Sequence, residues 1–512
     1  MRSDSTTSKD GIARSGYLVG FLVVAIIGGC RTYERKPLDL ARYPLSWAER
    51  VLDDPEIRRY AETIVSTDLE PGPFDVSDGL SLAEAEAIAL HCNPGIRVSR
   101  ANAGVPLASA EEAGWWPDPQ LEMQILRFAN RGKDTRFRFE GPSLDGVNTR
   151  LFGPAGLSTN GVETTPLGYR RSGGEFIEDP YVVGASLSFT IPIFGRLAVE
   201  KDLRWTEYSA AWRTILVSEW ELLTRVRSLW FTWTTLSQKV AATREYVDKL
   251  SEITGMADQL TVAGELEPTE ARVIRIEIAS RRISLQSLEN DAEQARIRLF
   301  YLMGVKPDAP VTLVPQIVVS AVDLPPGDRQ ARLIESHPRI RAAMADYEVA
   351  EQSLRHEIRL QYPDLQVGPS FSFEEGFSRL GLGMGFPIPI WNRNRQGIAE
   401  ADAQREAVRV QAEMQVELAM SDLARAEAQL RYAVRQRQYL IHDVVPLVEQ
   451  QVSDIRTLLN LGEVDVLLLR NALSSSLETK LEVLDATLAE AHASNVLSQM
   501  LRPRSVTVEA TE

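Results

Sequence analysis

Few residues in this chain have the types and spacing that enzyme or metal chemistry requires. The histidines are His91, His337, His356, His442 and His492. They show no metal-ligand spacing, and neither a His-Glu-x-x-His nor a Cys-x-x-Cys pattern is present. No glycine-rich loop opens a helix after a strand, and no Gly-x-Ser-x-Gly elbow occurs. We therefore predict a protein that is not an enzyme and that binds neither a metal nor a cofactor.

The one residue whose surroundings predict a chemical modification is Cys30. Basic residues precede an apolar run over residues 17–27, which is too short to span a bilayer but is typical of a secretory signal peptide. Gly28 and Gly29 then stand directly before Cys30, and this arrangement resembles the lipobox of bacterial lipoproteins, whose cysteine is lipidated. Residues 1–29 are therefore predicted to be a lipoprotein signal peptide; a plain signal peptide with an incidental cysteine is the alternative. Arg31 follows instead of an aspartate, which by the same resemblance implies delivery to the outer membrane.

Bulk composition narrows the possible partners. The chain has 512 residues and a formal net charge of −15 at pH 7, so it offers no basic face for phosphates and we expect no nucleic-acid binding. With Cys30 lipidated, Cys92 is the only other cysteine, and it is expected to be a buried, inert thiol without a disulfide.

The second half of the chain repeats motifs of the first half in the same order. Residues 92–97 correspond to residues 336–341, and the strand end at 189–194 corresponds to 386–391. Such a long period is not a solenoid; it predicts two equivalent halves around a pseudo-symmetry axis. The predicted divisions are an extended periplasmic segment (30–79), two structural repeats (80–315 and 316–502) and a tail (503–512).

Four segments alternate between apolar and small or polar residues, as strands with one lipid-facing side do. These segments are 120–128, 181–193, 364–373 and 379–390. A soluble sandwich strand shows the same alternation, but a sandwich needs more strands than four. An open four-stranded sheet would leave unpaired edges in lipid, so the strands are predicted to require copies from other subunits. The first pair is separated by a segment rich in glycine, proline, serine and threonine, residues 129–180, which is predicted to be a long exposed loop.

The helical pattern begins with a predicted capping box at Ser81 and Glu84. One helix is expected to end near His91, and a second to run from Pro94 to about Trp116. Two very long helices (196–263 and 393–461) follow the strand pairs; each would extend about 100 Å at ~1.5 Å per residue. Shorter helices (267–302 and 465–501) return after a glycine, and the first carries a coiled-coil seam interrupted by Arg281.

These features together resemble the TolC-like outer-membrane efflux proteins over about residues 80–502. The resemblance implies a mostly helical α+β membrane protein that forms a homotrimer. Its strands would build a twelve-stranded barrel in the lipid of the outer membrane, and its helices would form a tunnel in the periplasm. It also implies that the short helices stack end to end alongside the long ones. The function implied is a passive exit duct that works with a periplasmic adaptor protein and an inner-membrane pump. A periplasm-spanning coiled-coil lipoprotein without a pore is the alternative. The exported substrate is left open.

The same resemblance assigns roles to the two helix tips. The resemblance implies that the residues facing the adaptor are Gly264, Glu265 and Leu266 in the first tip and Gly462, Glu463 and Val464 in the second. The alternative is that the glycines only permit the turn. Candidates for a tunnel constriction are Asp465, Leu468 and Asn471; the last two stand where some relatives carry aspartates. Carboxylates in a narrow throat would favour cations, whereas a solvated acidic tip would not.

Overall fold

The computed structural model describes residues 33–48, 50, 55, 57–58, 74–127, 181–264, 266–319, 324–374, 377–460 and 466–502. The chain divides into two compact units, residues 1–51 and residues 52–512. In the first unit the described structure contains one short helix, α1 (Tyr43–Ala48). The predicted signal peptide (1–29), Cys30, the loop over 129–180 and the tail (503–512) lie outside the described residues.

The second unit contains the duplicated order of helices and strands. In the first repeat the elements are α2 (Leu82–Cys92), α3 (Pro94–Glu111), β1 (Gln120–Arg127), β2 (Tyr181–Ile191), α4 (Arg196–Ala263) and α5 (Pro268–Met303). In the second repeat they are α6 (Pro326–Ser336), α7 (Pro338–Arg359), β3 (Leu365–Glu374), β4 (Phe377–Gly385), α8 (Arg395–Tyr439), α9 (Val445–Asn460) and α10 (Val466–Leu501). A five-residue π-helical turn, Leu440–Val444, joins α8 to α9.

The structure corrects several predicted boundaries. Helix α3 ends at Glu111 rather than near Trp116, because the chain turns at Gly114 with a positive φ of 85°. Strand β4 ends at Gly385 rather than 390, because Pro387 and Pro389 have no N–H to donate to a ladder. The segment 30–79 is not wholly extended, since it contains α1 and a 3₁₀ turn at Val76–Asp78. Helix α6 is an additional element that the sequence interpretation omitted.

The four strands form one antiparallel sheet in the order β1-β2-β3-β4. Gln120 pairs with Ser188, Val183 with Phe373, and Gln366 with Gly385. The two strand pairs of the repeats therefore join through β2 and β3, and β1 and β4 are the edge strands.

Asn93 joins the short helices of the first repeat end to end. Its side-chain oxygen accepts a hydrogen bond from the N–H of Ile96 at 3.1 Å, which caps α3, and its side-chain nitrogen donates to the carbonyl of Leu302 at 2.7 Å. Gly304, with φ +67°, allows this approach, because a Cβ there would lie 2.2 Å from the carbonyl oxygen of Cys92. The predicted stacking of α3 on α5 is therefore present, and Cys92 is buried, with no disulfide among the described residues.

The second repeat makes the same junction with different chemistry. Ser336 Oγ and Arg332 Nε donate to the carbonyl of Leu501, at 3.4 and 3.3 Å, so α7 begins where α10 ends. His337 stands where Asn93 stands in the first repeat, but its side chain makes no capping hydrogen bond.

The middle of α4 forms the main core of the molecule. Trp230 and Phe231 are fully buried against α2 and the end of α5, among side chains that include Ile88 and Phe300. Burial of a side chain the size of phenylalanine stabilises a fold by about 1.5–3 kcal/mol. The capping box that begins α2 is present, with Ser81 and Glu84 bonded reciprocally.

Candidate functional site: two open edges and the helix tips

One chain has two open sides, and helices as well as strands contribute to both. Helix α4 packs against α3, α5, α7 and α10, and α8 packs against α7 and α10; towards the tips α5 also meets α10. The helical order is therefore α3–α4–α7–α8 near the sheet and α5–α4–α10–α9 near the tips. The stacked pair α3 and α5 forms one side, and α8 with α9 forms the other. Edge strand β1 follows α3, and edge strand β4 precedes α8, so each open side is continuous from sheet to helices.

The edge strands carry large exposed apolar side chains. On β1 these are Leu121, Met123 and Ile125, and on β4 they are Leu380, Leu382 and Met384; each is at least 60% exposed. On β4 these side chains alternate with Gly381 and Gly383. This is the predicted alternation of a lipid-facing side with a small-residue side.

The helical sides carry exposed apolar stripes at coiled-coil spacing. On α5 the stripe is Ile276, Ile283, Ile297 and Tyr301, and on α8 it is Val410, Met414, Leu418, Tyr432 and Tyr439. The buried face of α5 is a separate seam that includes Ala271, Ile274 and Ile278. Helix α5 thus has one apolar seam used within the chain and a second that the described chain does not cover. Such a stripe marks an interaction face.

Polar contacts bind α4 to α10 along their length and so join the two helical hairpins. Trp220 Nε1 donates to the carbonyl of Gln499 at 2.9 Å, and Asn495 donates to Ser228 Oγ at 3.2 Å. Further towards the tips are the pairs Thr232–His492 (3.3 Å), Lys239–Asp485 (2.6 Å) and Glu245–Lys480 (3.4 Å). Because these contacts recur along the interface, they fix the register of one helix against the other.

Ion pairs, of which Arg227–Glu86 is the fully buried one among the described pairs, connect neighbouring helices to α4. Arg227 and Glu86 are almost fully buried and lie 3.0 Å apart, which ties α4 to α2. Arg100 pairs with Glu219 at 2.8 Å, and Arg339 pairs with Glu221 at 2.6 Å. Neighbouring positions of α4 therefore hold both the first and the second repeat. A fully buried pair such as Arg227–Glu86 specifies geometry more than it adds stability.

His337 is a buried histidine at this junction. Its ring packs edge-on against Trp220 with centroids 5.1 Å apart, and Nδ1 finds no hydrogen-bond partner among the described residues. Burial, and then the positive charge of Arg339, lowers the pKa of His337 to about 4. His337 is therefore neutral in the folded protein at neutral pH.

The first helix tip is a glycine turn. Gly264 has φ +81° and donates its N–H to the carbonyl oxygens of Leu260 and Thr261, and Leu266 N–H bonds back to Leu260. Leu260 and Leu266 pack against the core between α4 and α5. Val262 is 90% exposed at the turn. The adaptor-facing role of Gly264 and Leu266 stays a prediction, and Glu265, Gly462, Glu463, Val464 and Asp465 lie outside the described residues.

Of the two described constriction candidates, Asn471 adjoins a polar cluster through Arg470, which lies 3.9 Å from Glu277. Leu468 is 39% exposed, and Asn471 accepts a hydrogen bond from Arg470. The cluster joins α5 to α10: Arg281 donates to Glu277 at 2.7 Å and to Glu478 at 3.2 Å. Arg281 interrupts the apolar seam in the sequence. In the structure it links the two helical hairpins, and the periodicity of the seam did not predict this link.

Within the described ranges, no group of histidine, cysteine, aspartate and glutamate side chains could hold a metal ion. No described helix combines the length and the apolar content that crossing a membrane requires.

Comparison with known proteins gives a consistent result. Residues 165–305 match the family model described as "Outer membrane efflux protein". No curated protein sequence matches the chain. Among solved structures, that of CusC, a protein described as forming a transmembrane channel, is 17% identical with a TM-score of 0.63. The match covers 82% of this chain and 91% of CusC.

Two further solved structures are similar over most of their length. The outer-membrane channel OprN is 15% identical with a TM-score of 0.63, over 93% of this chain and 99% of OprN. The outer membrane protein VceC of Vibrio cholerae is 14% identical with a TM-score of 0.61, over 82% of this chain and 95% of VceC. At these identities the likeness shows the fold. The predicted resemblance to the outer-membrane efflux family, and with it the mostly helical fold with four strands, is confirmed.

The buried His337 predicts a specific acid sensitivity. The histidine pKa is near 6.5 in the unfolded chain and about 4 in the folded protein. Between these values the unfolded chain binds a proton that the folded protein does not bind, so stability is lost as the pH falls from about 6.5 to 4. For His337→Gln we expect the free energy of unfolding to fall less over this pH range than it does for the wild type, with a difference of up to about 3 kcal/mol. Thermal unfolding followed by circular dichroism from pH 7.5 to 4.5 measures the difference.

His442→Gln, at an exposed position, is the matched control and should follow the wild-type pH profile. Equal pH profiles for His337→Gln and the wild type would show that His337 does not titrate between the two states.

Proposed function

We propose that the protein is the outer-membrane exit duct of a tripartite efflux or secretion system. The observation that carries this proposal is the pair of open sides on a single chain. A sheet in lipid cannot leave its edge N–H and C=O groups unpaired, because no water is available to bond them. Since the sheet has four strands, β4 of one copy and β1 of the next run antiparallel and can pair directly.

The helical sides support the same assembly. When β4 meets β1 of a second copy, the stripe on α8 faces the side of the second copy that carries the stripe on α5. Both stripes have the spacing of helices that pack side by side. Heterologous contacts of this kind close into a ring when the rotation permits. With three copies, as in the resembled family, the ring has a twelve-stranded barrel continuous with a helical tunnel.

The partners and the location belong to the same proposal. The duct would receive substrate from an inner-membrane pump through a periplasmic adaptor protein that contacts the helix tips. Exposed Val262 beside Gly264 supports this contact, and a photocrosslinker at residue 262 would test it. A lipid on Cys30 would add an anchor in the outer membrane, which mass spectrometry of the mature N-terminus would measure. The proteins that this chain resembles are channels rather than enzymes.

Assembly and conduction are tested together. We expect the purified protein to have the native mass of a trimer and to conduct ions in planar bilayers. Ile283→Glu places a charge in the exposed stripe of α5 and should prevent both, because the charge would be desolvated between helices.

The control variant is Ser284→Glu, which adds the same charge to an exposed position of α5 about 100° around the helix from Ile283, outside the stripe, and should assemble and conduct normally. A monomer or dimer that does not conduct would contradict the duct and favour the structural lipoprotein without a pore.

The carboxylates of the second tip generate a prediction about selectivity. If Glu463 and Asp465 line the narrowest part of the duct, Glu463→Gln with Asp465→Asn should reduce the preference for cations over anions. The reversal potential of single channels in a salt gradient measures this preference. Asp291→Asn, on the exposed surface of α5, is the control. Unchanged selectivity in the double variant would show that these carboxylates do not line the narrowest part of the duct, and would favour a solvated acidic tip.

A further inference from the structure

The two helical hairpins differ in the continuity of their outgoing helices. Helix α4 is α-helical throughout, whereas the corresponding helix of the second repeat is interrupted by the π-helical turn Leu440–Val444. In that turn Val445 donates its N–H to the carbonyl of Leu440, five residues earlier. Pro446 follows immediately, and Asp248 occupies the corresponding position of α4 when Gly264 and Gly462 are aligned.

Pro446 accounts for the interruption. A proline inside a helix has no N–H to donate, and its ring clashes with the carbonyl four residues earlier, here that of His442. Widening the helix by one residue relieves this clash, and bends of helices concentrate at prolines and at π-turns. The backbone connection between α8 and α9 is therefore weaker than the connection at Asp248.

The second hairpin also has fewer described polar contacts between its helices on the tip side of the π-turn than the first hairpin has. Three polar contacts connect α4 to α5 in the first hairpin: Arg244–Glu289 (2.5 Å), Tyr246–Glu277 (3.5 Å) and Asp258–Arg275 (2.5 Å). In the second hairpin, Arg437 of α8 pairs with Glu490 of α10, on the side of the π-turn away from the tip. Among the described side chains of α9, none makes a hydrogen bond or ion pair to another helix.

Helix α10, in contrast, is held to the first hairpin. The polar contacts from Gln499 to Lys480 join it to α4, and Glu478 joins it to Arg281 of α5. The described side chains of α9 therefore contribute apolar packing, such as that of Ile455, while the adjacent helix α10 is fixed to the first hairpin.

We propose that α9 is a hinged arm, which pivots about the π-turn Leu440–Val444 beside Pro446 while α10 and the first hairpin keep their positions. The hinge is a property of the single chain. A tilt of about 20° would displace a residue near the end of α9 by about 6 Å.

Distances between spin labels test the hinge directly. One pair is placed on the tip side of the π-turn, at Thr457 on α9 and Gln259 on α4. A reference pair is placed on the other side of the π-turn, at Ser421 on α8 and Arg225 on α4. All four positions are exposed. The labels are introduced as cysteines in a Cys92→Ala background. Co-expression of labelled and unlabelled chains keeps one labelled chain per assembly, and double electron–electron resonance in detergent gives the distance distributions.

We expect the Thr457–Gln259 distribution to be broader than that of the reference pair by several ångströms, about the displacement of a hinged arm. Pro446→Ala restores the missing hydrogen bond and should narrow the distribution to the width of the reference pair. Asp248→Ala, the matched substitution in α4, should change neither distribution.

Equal widths for the two pairs, or a Thr457–Gln259 width that Pro446→Ala leaves unchanged, would overturn the hinge and show a fixed kink. The measurement does not require conduction. A protein that fails to conduct but shows the broad distribution would contradict the duct and support the hinge. A protein that conducts but shows equal widths would support the duct and contradict the hinge.

Discussion

Backbone hydrogen bonding at the two edges of the sheet is the constraint on which the other features depend. Strands β1 and β4 each present one row of N–H and C=O groups with no partner inside the sheet, and their apolar side chains are exposed. In lipid such an edge must be paired, whereas in water it would promote aggregation. The chain is therefore incomplete by itself. The apolar stripes of α5 and α8 lie on the same two sides, so that pairing the strands would also cover the helices.

Helix α4 makes this incomplete unit rigid enough to assemble. It holds the first repeat through Arg227–Glu86 and Arg100–Glu219, and the second through Arg339–Glu221 and the contacts of Trp220. A ring of several copies closes only if each copy has a defined curvature, and long helices in fixed register provide that curvature. The exception is α9, whose described side chains make no such contacts and which begins at Val445, directly before Pro446. The duplication thus supplies equivalent wall segments, and the departures from equivalence occur near the tips.

The sequence predicted the repeated helices and strands better than it predicted where they end and how they join. Alternation located all four strands, because a period of two is directly visible; Pro387 and Pro389 should have shortened the last one. Helix α6 was missed although the repeat indicated it, since residues 336–341 correspond to 92–97 and the preceding segment must correspond to α2. Pro446 was likewise readable as an interruption of the long helix. By contrast, Arg227–Glu86 and Arg281–Glu478 join residues far apart in the chain, and no local pattern specifies such partners.

The central claim is that β4 of one copy pairs with β1 of the next in a closed ring of three. Disulfide crosslinking across that edge tests it most directly. In a Cys92→Ala background, Met123→Cys on β1 is combined in turn with Leu380→Cys, Leu382→Cys and Met384→Cys on β4, and the oxidised protein is separated on a denaturing gel. We expect at least one combination to give covalent trimers and nothing larger, because a closed ring has no free edge. Monomers in every combination, or a ladder that continues beyond the trimer, would contradict the account.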